Sequence, residues 1–139
     1  MRKLKIHIMN NRHQAQVYQA TEAQVRDAIA RNADIADKFE ITMGSSEYDY
    51  GRWTEEDTKS YYEHMKDADV LMGYTFPTDD IRGYAPNLKW IHFNSSGVEQ
   101  ITPFTWVPDG LQLTNSRGVH QPKSGESFAT YLGMLNAAI

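Results

Sequence analysis

Short strand-like segments alternate with helix-like segments along this chain, and that alternation confines it to very few architectures. Leu4 to Met9 alternates apolar and polar residues and stops at Asn10-Asn11. Thr21-Glu-Ala-Gln24 has the form of a capping box, in which a hydroxyl and an amide satisfy each other's orphan backbone groups. Behind it Ala23, Val25, Ala28, Ile29 and Ala33 keep roughly helical spacing to about Asn32. Phe39 to Met43 reads as a second strand closed by Gly44, and Thr54-Glu-Glu-Asp57 opens a helix running to about Lys66. Asp69 to Tyr74 is continuously apolar, as a strand buried on both faces requires. A short helix from Thr78 to Tyr84, with Thr78 as N-cap, precedes strands at Leu88–Phe93 and Leu111–Asn115. Pro122 stands where a last helix would begin, and Phe128, Leu132 and Leu135 form its stripe. That helix meets no stop signal before Ile139. Strands joined through helices by short connections form right-handed βαβ units. The expected fold is therefore α/β and flavodoxin-like, a parallel five-stranded sheet with helices on both faces.

Bulk properties narrow the function. A length of 139 residues suits one domain, and 40% hydrophobic residues can build a core. A net charge of −4 gives no basic face, so no nucleic-acid partner is expected. The acidic runs Glu55-Glu56-Asp57 and Asp79-Asp80 are expected on solvated helix starts. Without cysteine there is no disulfide and no thiolate metal site. No apolar run approaches the roughly 18 residues of a membrane span, and the alternating start is too short for a signal-peptide core. The expectation is a cytoplasmic protein with no membrane partner.

In an open α/β sheet, ligands bind beyond the carboxyl ends of the strands. That rule selects Asn10-Asn11, Gly73 to Pro77, Asn94 to Glu99 and Asn115 to His120. In Asn94-Ser-Ser-Gly-Val-Glu99 a glycine beside two serines follows a buried strand, so backbone N–H groups can converge on an anion such as a carboxylate. An ordinary glycine turn, its serines capping the next short helix, fits the same residues. The histidines (His7, His13, His64, His92, His120) form no metal pair at zinc spacing. His7 and His92 lie in strands and read as structural. His120 sits at the expected cleft near Arg117 but has no identified partner. Ser95 and Ser96 lack the G-x-S-x-G frame, and neither G-x-G-x-x-G nor a P-loop occurs. A receiver domain would need acids after the first strand and an aspartate ending the third. A flavodoxin would need a Ser/Thr-rich phosphate loop. Neither is present.

Four pieces of the second half resemble, in order, D-isomer-specific 2-hydroxyacid dehydrogenases. They are Ala68-Asp-Val-Leu-Met-Gly73, Leu88-Lys-Trp-Ile-His-Phe-Asn-Ser-Ser-Gly-Val-Glu99, Leu113-Thr-Asn-Ser-Arg-Gly-Val-His120, and Gly125-Glu126 opening an apolar helix. The resemblance implies that residues 1–121 are a flavodoxin-like substrate-binding domain. Residues 122–139 would start an interdomain helix, the cofactor domain being absent from this segment. It further implies that the backbone amides of Ser96, Gly97 and Val98 hold the carboxylate of a small 2-keto or 2-hydroxy acid. Tyr74 and Phe76 would lean over the substrate side chain. The complete enzyme would be a homodimer using NAD or NADP for hydride transfer at substrate C2. The family's catalytic arginine, acid and histidine match no position here, so the segment alone should be inactive, with no cofactor bound. A non-enzymatic binding or corepressor-like module of the same family is the alternative.

Overall fold

β1 (Leu4–Asn11) sits inside the sheet and pairs with β2 (Phe39–Ser46) on one side and β3 (Val70–Gly73) on the other. β4 (Trp90–Phe93) and β5 (Gln112–Asn115) extend the sheet in the order β2-β1-β3-β4-β5, every neighbouring pair parallel. The computed structural model that shows this describes residues 2–119 and 121–137. His120 and Ile139 lie outside the described residues, as does the side chain of Leu135. The architecture is α/β and flavodoxin-like.

Local sequence accounts for the helices. In α1 (Glu22–Arg31), Gln24 N–H donates to Thr21 Oγ1 at 3.2 Å while Thr21 N–H donates to Gln24 Oε1 at 2.9 Å. α2 (Glu55–Met65) is closed by the same reciprocal pair, here Thr54 and Asp57. Asp57 is not solvated as its acidic run suggested. Its carboxylate is buried, accepting from Thr54 N–H and from the Arg12 guanidinium. α3 (Ile81–Tyr84) is one turn, and its cap is Asp80 at φ 51° rather than Thr78.

Alternation along the strands gives the sheet two unlike faces. Met9, Leu71, Ile91 and Phe93 point toward Tyr61 and Met65 of α2, Ile81 of α3, and Ala85 and Leu88 beyond it. Each large apolar side chain buried there contributes roughly 1.5–3 kcal/mol. The opposite face carries Ile6, Ile8, Ile41 and Met72 under α1, yet no residue of α1 is itself buried. β2 runs through Gly44 instead of stopping there. A Cβ at Gly44 would lie 3.1 Å from His7 Nε2 and 3.2 Å from Met9 Sδ, so glycine makes room for side chains of the adjacent strand β1.

α4 (Gln121–Ala137) carries Pro122 in its first turn, and its Phe128, Tyr131, Leu132 and Met134 are all exposed. Among the described residues no helix is long and apolar enough to cross a membrane.

Candidate functional site

The carboxyl ends of β3, β4 and β5 bring three loops together. Asn94 N–H donates to Gly73 O at 3.0 Å, extending the ladder past β4 and holding the following turn beside Tyr74. The carbonyls of that turn are all occupied. Ser116 N–H donates to Ser95 O and Asn115 Nδ2 to Ser96 O, both at 3.0 Å, and Ser95 Oγ donates to Gly97 O at 2.5 Å. The N–H groups of Ser96, Gly97 and Val98 find no acceptor among the described residues. Tied carbonyls and three successive amides without an acceptor among the described residues are the kind of turn at which an anion can be received. The Val98 side chain packs against the core, so only its backbone serves the turn.

Glu99 completes the neighbourhood. A Cβ on Gly97 would collide with the exposed Glu99 carboxylate, which therefore hangs over the turn. Tyr74 stands nearby with its ring against Tyr48, the centroids 4.4 Å apart. Its hydroxyl is pushed up to about 12, first by burial, then by its hydrogen bond to Tyr48 and the charge of Glu99. Tyr74 is thus a neutral donor at any physiological pH. A depression of about 220 Å³ adjoins the turn, lined by Phe93, Val98, Phe104, Leu113, Thr114 and Asn115.

The structure groups Tyr74, Ser96, Gly97 and Val98 at one end of the sheet. Phe76 is placed differently from the expectation that it leans over a substrate. Its ring is 2% exposed, stacked on Phe93 at 5.9 Å and edge-on to Trp106. An apolar ring beside that cluster gains more by burial than by facing a polar cleft. Tyr48 was missed because the second strand was expected to close at Gly44, which put residue 48 beyond reach of the site. Its signal was the aromatic cluster Tyr48-Asp-Tyr50.

His92 is a structural residue. Trp90 Nε1 donates to Thr114 Oγ1 at 2.8 Å, and Thr114 Oγ1 lies 2.9 Å from His92 Nδ1. His92 Nε2 lies 3.2 Å from Ser116 Oγ, itself 3.2 Å from Phe93 O. One assignment uses every donor once: Trp90 to Thr114 to His92 Nδ1, then His92 Nε2–H to Ser116 to Phe93 O. In it Nε2 carries the proton, so His92 is not poised to activate Ser116. Burial lowers the His92 pKa and keeps the ring neutral. Among the described residues no group of three His, Asp or Glu side chains is placed to hold a metal ion. Comparison with protein-family models, with curated proteins and with solved structures finds no match to this chain.

Proposed function

We propose that this chain is the substrate-binding part of an NAD(P)-dependent oxidoreductase acting on the CH–OH group of small D-2-hydroxy acids, or on the matching 2-keto acids. The observation that carries the reading is the Ser95–Val98 turn, with its carbonyls tied down and the amides of Ser96, Gly97 and Val98 free. A carboxylate fits such a cluster through charge-assisted hydrogen bonds, each worth roughly 1.5–3 kcal/mol. The Tyr74 hydroxyl is a further neutral donor for the 2-oxygen. The depression beside Val98 and Phe104 offers a place for a small apolar side chain. No residue of this chain is assigned to the cofactor, since no glycine-rich phosphate loop is present. The contribution of this part is anion recognition and orientation of the substrate.

Titration of the chain with glyoxylate and pyruvate, followed by amide ¹H–¹⁵N spectra, tests the reading. The Ser96, Gly97 and Val98 resonances should shift together and saturate. Methyl pyruvate, which lacks the carboxylate, should leave them in place. Gly97→Val should abolish the response in a folded chain, because a side chain there fills the approach to the amides. Unmoved amide resonances with both keto acids would overturn the proposal.

A further inference from the structure

A groove of about 350 Å³ lies between α1 and the sheet face opposite the main core. Ile6, Ile8, Ile41 and Met72 form its floor, and Val25 and Ile29 of α1 overhang it. Among the described residues no charged side chain lines it, although 23% of the chain is charged. Its two amide side chains are already engaged. Gln24 Oε1 accepts from Thr21 N–H, and Asn32 Nδ2 donates to Ala28 O at 2.8 Å. The space exists because alanines (Ala20, Ala28, Ala36) stand where larger residues would close it.

The groove opens to solvent, and water against its mostly apolar walls gains few hydrogen bonds from them, so an apolar occupant is favoured by releasing that water. A ten-residue helix is marginal on its own, and α1 has no buried residue, so it draws little support from the sheet. Its hold comes from its capping box and the surface pairs Glu22–Arg26 and Asp27–Arg31. An apolar molecule in the groove would complete the missing layer. A cavity of about 150 Å³ with apolar walls admits benzene, so this one has room for about two fused rings.

We propose that the groove is a binding site for a neutral apolar small molecule of about two fused aromatic rings. It is separate from the Gly97 turn and does not depend on the function proposed for that turn. Fluorescence titration with N-phenyl-1-naphthylamine tests it. The chain should bind the dye one to one in the micromolar range, and saturation should raise the melting temperature. Val25→Trp fills the groove and should weaken binding at least tenfold while the melting temperature holds or rises. Ala28→Leu makes the same test with less bulk should Val25→Trp fail to fold. Ala30→Trp, on the outer side of α1, should bind as the unaltered chain does, and so should Gly97→Val. The anionic 8-anilinonaphthalene-1-sulfonate should bind at least tenfold more weakly, because nothing in the groove receives its charge. The proposal is overturned by absent or unsaturable binding, or by undiminished binding in a folded, groove-filled variant. Equal affinity for the sulfonate also overturns it. So does a stoichiometry below one with dimers in sedimentation, which would assign the groove to a second copy of the chain.

Discussion

Asn115, at the end of β5, donates its Nδ2 to the carbonyl of Ser96 at 3.0 Å and so fixes which way that peptide faces. A trans peptide whose oxygen is held inward presents its N–H, here that of Gly97, outward. Asn115→Ala should release this peptide without disturbing the strand. One neutral hydrogen bond is worth about 1 kcal/mol, which corresponds to roughly a fivefold loss of affinity for glyoxylate. Calorimetry on the variant checks this. Unchanged affinity would mean that Ser95 Oγ and Ser116 N–H hold the turn by themselves.

Glu99 acts in the opposite direction. Its carboxylate overhangs Gly97, so an incoming substrate carboxylate meets a like charge. Glu99→Gln should strengthen binding of glyoxylate a few-fold at low ionic strength. The gain should shrink as salt approaches about 0.3 M, where exposed charges are screened over several ångströms. The same variant should bring the Tyr74 hydroxyl down from about 12, since Glu99 is one of the groups that raise it. Ultraviolet titration of the tyrosines reads the second effect independently of any ligand.

What the sequence revealed was local. Thr21 and Gln24, or Thr54 and Asp57, lie three residues apart, so their capping boxes can be read from spacing alone. The Gly97 turn was visible because glycine, serines and a strand end are contiguous. Contacts closed over long separations were hidden. Asp57 is buried because Arg12 reaches it from another part of the chain. Tyr48 joins Tyr74 only because β2 continues past Gly44. Phe76 sits next to Tyr74's loop in sequence, yet Phe93 and Trp106 draw its ring into the core. Such preferences depend on which surfaces meet, which local spacing does not encode.

Asp69 joins the start of β3 to two neighbouring strands. Its carboxylate is 1% exposed and accepts from Arg2 Nη2 at 2.5 Å and from Lys5 N–H at 2.9 Å, with Lys89 Nζ at 3.6 Å. Burial alone would raise its pKa, but these donors and charges together lower it. A carboxyl group lowered in the fold stabilises the protein above its unfolded value of about 3.9. That stability is lost as pH falls through the folded value. Asp69→Asn should therefore cost about 1–3 kcal/mol near pH 7, and the deficit should narrow under acid conditions that protonate the native aspartate. Urea melts at both pH values check the direction.

His7 sets a second acid-sensitive limit at milder pH. The ring is 1% exposed, Nδ1 lies 2.8 Å from Thr42 Oγ1, and the face stacks on His64 with centroids 4.6 Å apart. Nε2 has no partner among the described residues. Protonation would place a charged N–H at Nε2 with nothing to accept it and a second imidazole alongside. Burial first, and then the charge of His64, hold the pKa down to about 4 against a usual value near 6.5. Above about pH 6.5 neither state is protonated here and His7 confers no pH dependence. Between about 6.5 and 4 the unfolded chain takes up a proton that the fold refuses, so stability falls as pH falls. The full loss is on the order of 3 kcal/mol and is complete below the folded value. His7→Gln has no such titration, and its urea stability should fall less steeply across that window than that of the unaltered chain, the remaining slope coming from His92, whose pKa burial also lowers. A flat profile in the unaltered chain would show that the fold admits the proton, and that Nε2 finds a partner once charged.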